Sequence, residues 1–153
     1  MKKCFPLLLF IFLTASNTTN AQNQRNLHPL LNHIAIYVTN LKTSTDFYTN
    51  VIELDTIPEP FHDHKHTWFA IGPVGHLHVI EGATQATPHD KNVHLCFSVT
   101  SMNNFIANLD KYKVPYQDWP GHAQTVTTRV DGVHQIYFKD PDGYWIEIND
   151  AKN

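Results

Sequence analysis

The sequence predicts an α+β domain built from two βαβββ repeats, and three observations carry that expectation. A stretch of strand-like alternation near residue 31 returns near residue 92. Each copy runs into an amphipathic stretch of helical period. Each of those is followed by three further strand-like runs, with turn residues between the last two. At 153 residues the chain has room for one domain, or for two small repeats sharing a core.

Residues 1–21 have the pattern of an export signal and stand outside the fold. Lys2 and Lys3 form a basic start, residues 5–13 are apolar, and a tail of small and polar residues ends at Ala21. An apolar run that short falls well below the roughly 20 residues of a membrane-spanning helix. No stable membrane anchor is expected, and the mature chain is expected to be periplasmic or secreted. Removal of the signal takes Cys4 and leaves Cys96 as the single cysteine, which excludes an internal disulfide and a CxxC motif. Residues 22–30 read as a flexible leader.

The domain itself spans 31–150: repeat one at 31–81, a linker at 82–90, and repeat two at 91–150. LNHIAIYVTNL (31–41) superimposes on NVHLCFSVTSM (92–102) without a gap, so His33 falls on His94. In a strand, alternate side chains share a face. Ile34, Ile36 and Val38 oppose His33, Ala35 and Tyr37, while Leu95, Phe97 and Val99 oppose His94, Cys96 and Ser98. A helix is expected over 41–54, with Phe47, Tyr48, Val51 and Ile52 on one face. Its counterpart starts at Ser101 and carries Phe105, Ile106 and Leu109. Strands are expected at 56–61, 67–72 and 76–81, then at 114–119, 133–139 and 145–149. Turns at 73–75 and at Asp140-Pro141-Asp142-Gly143 join the last two strands of each half.

The closing strands correspond as well. LHVI (77–80) matches IEIN (146–149), so His78 falls on Glu147. Leu77 and Val79, like Ile146 and Ile148, point to the apolar side. His78 and Glu147 point to the face that already holds His33 and His94. Each repeat thus offers one polar residue from its first strand and one from its last.

Composition is consistent with a metal site. The chain has 11 histidines, as many as its lysines and arginines together, and histidine is the commonest metal ligand. A formal charge of −3 offers no basic footprint, so nucleic acid is excluded as the expected partner. Three imidazoles and a carboxylate suit Zn²⁺, Ni²⁺, Co²⁺ or Fe²⁺ better than Ca²⁺ or Mg²⁺.

Taken together, NHIAIYVTNL…DFY, LHVIEG, VHLCFSV and FKDPDGYWIEI resemble the vicinal oxygen chelate superfamily. It includes glyoxalase I, fosfomycin-resistance thiol transferases, methylmalonyl-CoA epimerase and extradiol dioxygenases. The resemblance covers about residues 31–150 and implies a U-shaped mixed sheet around a metal cleft, with helices on its outer face. By position it implies His33, His94 and Glu147 as metal ligands, with His78 in the fourth place. A histidine there departs from the glutamate of glyoxalase I and the glutamine of the epimerase. The resemblance also implies a homodimer, since short single-module members pair their halves across chains.

Other residues are candidates beside these. Trp68 and Phe69, and Tyr137 and Phe138, fall on equivalent third strands, where alternation sends one of each pair toward the cleft. Trp68 and Tyr137 are therefore candidates for a substrate pocket, and Arg129, in the longer loop of repeat two, could meet an anionic substrate. The His62-Asp63-His64-Lys65-His66 run reads as an exposed connection, and His28, His89, His122 and His134 read as surface. His76 shares the strand face of His78. Cys96 reads as a small buried hydrophobe.

The expected function is that of a divalent-metal-dependent lyase or isomerase resembling glyoxalase I. It would act on a small oxygen-chelating substrate through an enediolate-type intermediate, with Glu147 or His78 carrying the proton. Export separates the protein from glutathione, the thiol of the reducing cytosol. The alternatives are an Fe(II) extradiol-type dioxygenase using His33, His94 and Glu147, thiol transfer to an antibiotic, or a non-enzymatic drug-binding protein.

Overall fold

The computed structural model describes residues 29–152; the expected signal, nearly all of the leader and His28 lie outside them. Repeat one comprises β1 (His33–Val38), α1 (Leu41–Asn50), β2 (Thr56–Ile57), β3 (His66–Ile71) and β4 (Gly75–Glu81). Repeat two comprises β5 (His94–Ser98), α2 (Met102–Lys111), β6 (Thr127–Thr128), β7 (His134–Lys139) and β8 (Trp145–Asn149). The α+β class and the doubled βαβββ order are as expected.

Both helices start the same way. Asn40 and the residue that superimposes on it, Ser101, have extended backbones, and their side chains accept from the amides of Thr43 and Asn104. Each satisfies one of the amides that a helix N-terminus leaves without a partner. At α1 Glu81 also accepts from the amide of Leu41 at 2.7 Å. The anticipated helix over 41–54 stops at Asn50, and Val51 and Ile52 close it with amide bonds back to Phe47.

The strands form two four-stranded sheets, in the orders β1-β4-β3-β2 and β5-β8-β7-β6. In each, the first strand runs parallel to the last and the other pairings are antiparallel. The register repeats too: Ala35 lies opposite His78, and Cys96 lies opposite Glu147. The two sheets are separate in hydrogen bonding, so one chain does not close a continuous U, and β1 and β5 are both edge strands.

One core serves both halves. Ile36, Val38, Leu77 and Val79 from the first sheet are buried in the same cluster as Ile136, Phe138, Ile146 and Ile148 from the second. Phe47 of α1 lies 6.4 Å from Phe138, and Phe105 of α2 lies 6.0 Å from it. Polar ties cross the same boundary. Asp142 accepts from the amide and hydroxyl of Thr39 and from the hydroxyl of Ser44, and Asp140 accepts from Tyr48. The Asp-Pro-Asp-Gly turn of repeat two thus secures the start of the helix in repeat one. Its Gly143 has φ +91° and would place a Cβ 3.0 Å from the carbonyl of Thr87 in the linker, so a side chain is excluded twice over.

One expected strand is displaced. Residues 114–119 form isolated bridges only, from Gln117 to Ala123 and to Tyr137, while the second strand of repeat two is Thr127–Thr128. Pro115 and Pro120 lack the amide proton a ladder needs. Asp118 then closes a turn by accepting from the amides of Gly121 and His122. Cys96 is also corrected: it is a free cysteine on the polar face of an edge strand, exposed as a residue with its thiol partly buried against Glu147.

Candidate metal centre

Because the apolar faces of both sheets share one core, the opposite faces point away from it. Those are the faces that carry His33 and His78 in repeat one, and His94 and Glu147 in repeat two. A single chain therefore presents two half-sites. Among the described residues no group of three or more His, Cys, Asp or Glu side chains is placed to hold a metal ion.

The first half-site is a stack of rings. His33 and His78 lie face to face with centroids 4.2 Å apart and planes 8° apart. Trp68 covers the other side of His78 at 3.9 Å and 2°. The Nδ1 of His33 bonds to Oδ1 of Asn32 at 2.8 Å. An amide oxygen only accepts, so Nδ1 carries the proton and Nε2 is left with its lone pair. His78 Nε2 and Trp68 Nε1 are buried with no hydrogen-bond partner. Burial first, then the neighbouring His33 and His76, hold the His78 imidazole below its ordinary pKa and so neutral. His76 is only loosely stacked, 6.2 Å from His78.

The second half-site is a hydrogen-bonded network. His94 Nδ1 bonds to the carbonyl of Lys91 at 2.7 Å, which fixes a proton there and turns Nε2 toward Glu147. Nε2 lies 3.2 Å from Oε2 of Glu147. Tyr137 donates to that same Oε2 at 2.7 Å, and Gln135 donates to the Tyr137 hydroxyl at 2.6 Å. Oε1 accepts from Asn149 at 3.0 Å and from the thiol of Cys96 at 3.3 Å. Burial raises the Glu147 pKa, but the bonds from Tyr137, Asn149 and Cys96 and the nearby His94 outweigh it, and the carboxyl lies below its usual value. Partial burial of the Cys96 thiol and the adjacent Glu147 charge push that group up to about 12, so it stays protonated and donates.

These donors fit a divalent cation. Nε2 of His94 and Oε2 of Glu147 lie 3.2 Å apart, an arrangement that requires a proton or a cation between them. In both half-sites the histidine nitrogen away from the cleft is tied by a partner, the usual support of a metal-bound imidazole. The Nε2 of His78 is buried and has no hydrogen-bond partner.

The remaining candidates sort cleanly. Trp68 and Tyr137 lie opposite His78 and Glu147 in the strand registers, on the polar faces, while Phe69 and Phe138 are in the core. Arg129 is exposed and pairs with Asp131 at 2.6 Å. Residues 62–65 are an exposed connection, whereas His66 is half-buried at the start of β3 and bonds to Asp63. His122 and His134 are exposed, whereas His89, read as surface, is half-buried against Tyr144 at 4.1 Å. Asn32, Gln135 and Asn149 were missed. The alternation that placed Glu147 and Tyr137 would have found the last two, since each stands two residues away on the same face.

Comparison with known proteins agrees with the fold. The model of the Glyoxalase/Bleomycin resistance protein/Dioxygenase superfamily matches residues 30–148. A lactoylglutathione lyase of Pseudomonas putida is 25% identical, with 78% of this chain and 83% of that protein covered. The solved oxidase ChaP-H2 superimposes with a TM-score of 0.68 at 20% identity, covering 81% of this chain and 94% of that one. The genomically encoded fosfomycin resistance protein FosX of Listeria monocytogenes does so with a TM-score of 0.65 at 21% identity, covering 82% and 96%.

Proposed function

Because the chain belongs to the glyoxalase/bleomycin resistance/dioxygenase superfamily, we propose that it is a divalent-metal-dependent lyase or isomerase of the glyoxalase I kind. The observation that carries this reading is the free, buried Nε2 of His78. Proton abstraction next to a carbonyl needs a base not already committed to other bonds. Glu147 is held by three donors and is a poor base; it serves as an anchored ligand beside His94. His78 is neutral and carries an unused lone pair, and we assign it the proton. A Zn²⁺, Ni²⁺, Co²⁺ or Fe²⁺ ion held by these residues would polarise two neighbouring substrate oxygens and favour an enediolate. Trp68 fixes the plane of His78, and Tyr137 fixes the carboxylate of Glu147.

The ligand set is completed in this reading by a second copy of the chain. His33 of one protomer joins His94 and Glu147 of its partner as ligands, with His78 beside them as the base, which would cover both half-sites and both edge strands, β1 and β5. The export pattern of residues 1–21 supports a reaction outside the cytoplasm, with a substrate other than a glutathione adduct. A dioxygenase would need only His33, His94 and Glu147, and would leave the free nitrogen of His78 without a task.

The test is metal analysis of the mature protein, followed by absorbance assays of its Ni²⁺, Zn²⁺ and Fe²⁺ forms with 2-oxoaldehyde–thiol adducts and with catechols. Turnover of the adducts, lost in His78→Ala with metal retained, is expected. Turnover of catechols alone, unaffected by that substitution, would overturn the proposal.

A further inference from the structure

We propose that Lys91 and Lys139, which converge on Trp145 beside the second half-site, bind an anionic tail on the chelating substrate. This names a substrate class for the metal-dependent reading above and rests on it. Lys139 and Trp145 face each other in the β7–β8 register, and Trp145 faces His94 in the β5–β8 register. All three side chains stand on the face that carries Glu147. The ammonium of Lys139 lies 4.7 Å from the centre of the Trp145 indole, and that of Lys91 lies 4.8 Å from it. Lys91 also lies 5.6 Å from the ring centres of Trp119 and Tyr137. Both lysines line one cavity with that indole, so an anion bound there would meet both positive charges.

Nothing else neutralises them. Among the described residues neither lysine forms an ion pair; the lysine and arginine pairs are Lys42–Asp46 and Arg129–Asp131. Lys91 donates to the carbonyl of Trp119 at 2.9 Å and, at the limit of a bond, to that of Asp118 at 3.5 Å. The carboxylate of Asp118 is not available to it, being taken by the amides of Gly121 and His122 and the ring of His122. An ammonium has three donors, so Lys91 retains capacity. Both lysines line a cavity of about 590 Å³ that also includes Tyr116, Gln117, Tyr137 and Trp145. Its volume is that of a small-molecule site.

The subsite is coupled to the candidate ligands at short range. The carbonyl of Lys91 orients His94, and Tyr137, beside the Lys91 ammonium, orients Glu147. Trp145 and Glu147 are two residues apart on β8, about 6.6 Å along a strand. A chain of a few carbons spans that interval. The substrate class is therefore a short oxygen chelator whose far end carries a carboxylate or similar oxyanion.

2-Oxoglutarate and 2-oxopentanoate, which share the chelating head and differ in the tail charge, provide the test. On Zn²⁺-loaded protein 2-oxoglutarate should bind at least about 10-fold more tightly, as expected for a charge-assisted contact worth about 1.4 kcal/mol or more. In Lys91→Met/Lys139→Met the ratio should fall to near one with zinc content unchanged, and Lys91→Arg/Lys139→Arg should recover it. On metal-free protein 2-oxoglutarate should shift the indole NMR signals of Trp119 and Trp145 saturably, and the methionine pair should abolish the shift. Equal affinities in the wild type, or a shift that survives in the methionine pair, would overturn the subsite. Shifts that persist while zinc adds no affinity would instead overturn the metal-dependent reading and leave the subsite standing.

Discussion

The two half-sites sit at equivalent places in equivalent repeats, yet they are held by different forces. His33 and His78 are fixed by stacking, one ring against the next and against Trp68. His94 and Glu147 are fixed by directed bonds from Lys91, Tyr137, Asn149 and Cys96. Stacking sets a plane but leaves a nitrogen free; a network sets the donor atom itself and consumes its lone pairs. In the function proposed above, the stacked half supplies the base and the wired half the fixed ligand pair.

The largest expected effect tests whether the halves belong to one centre. His94→Ala should abolish stoichiometric metal binding while leaving the far-ultraviolet circular dichroism spectrum unchanged. Mixing His33→Ala with Glu147→Ala chains should restore metal to a fraction of the dimers, because one of the two cross-chain sites then keeps His33, His94 and Glu147 together. If subunit exchange is confirmed by mass and no metal binding returns, the shared centre is wrong.

Next in size is the link between the repeats. Asp142 is buried and accepts three bonds from Thr39 and Ser44, so Asp142→Ala strands several polar groups. A loss of about 2–4 kcal/mol in urea unfolding is expected. Asn104 at the start of α2 has only the Ser101 cap, and Ser101→Ala should cost about 1 kcal/mol. Equal losses at the two sites would show that the turn of repeat two does not secure α1.

A smaller effect separates wiring from stacking. Tyr137→Phe removes the donor to Glu147 and should weaken zinc binding about 10-fold, the usual cost of an outer-shell partner. Trp68→Leu keeps an apolar cover over His78, and should lower turnover more than it lowers zinc affinity. Chelator competition measures the affinities, and a reversed order would exchange the roles given to the two halves.

The smallest effect is electrostatic and local to repeat two. The ring and the amide of His134 both bond to Asp150, at 2.8 and 2.7 Å, and hold its carboxyl below the usual value. A lowered folded pKa contributes stability above the ordinary carboxylate pKa of about 3.9, lost as pH falls through the lower folded value. Asp150→Asn should therefore lose its stability deficit as urea midpoints are followed from pH 6 down to pH 3. A deficit independent of pH would remove the carboxylate from the account.

The doubled architecture was legible because its signals are local. Alternation placed His33 with Ala35 and Tyr37, and His94 with Cys96 and Ser98. The match of LHVI to IEIN placed His78 with Glu147, and the registers of β4 and β8 agree with it. Three features were not legible. The strand expected at 114–119 gave way to Thr127–Thr128 because Pro115 and Pro120 interrupt the ladder, and pairing partners then decide which extended segment is used. The exposure of Cys96 followed from β5 lying at a sheet edge, which strand order alone determines. The convergence of Lys91 and Lys139 on Trp145 joins a linker-proximal residue to two strands, and no sequence period connects them.

The sequence by itself determined which side chains share a strand face, because that depends only on a two-residue period and a repeated pattern. Tertiary structure decided where each face points. The apolar faces of the two sheets share one core, since burying them together removes the most hydrocarbon from water. That packing turns His33 and His78 outward on one side and His94 and Glu147 outward on the other, and leaves two half-sites on each chain.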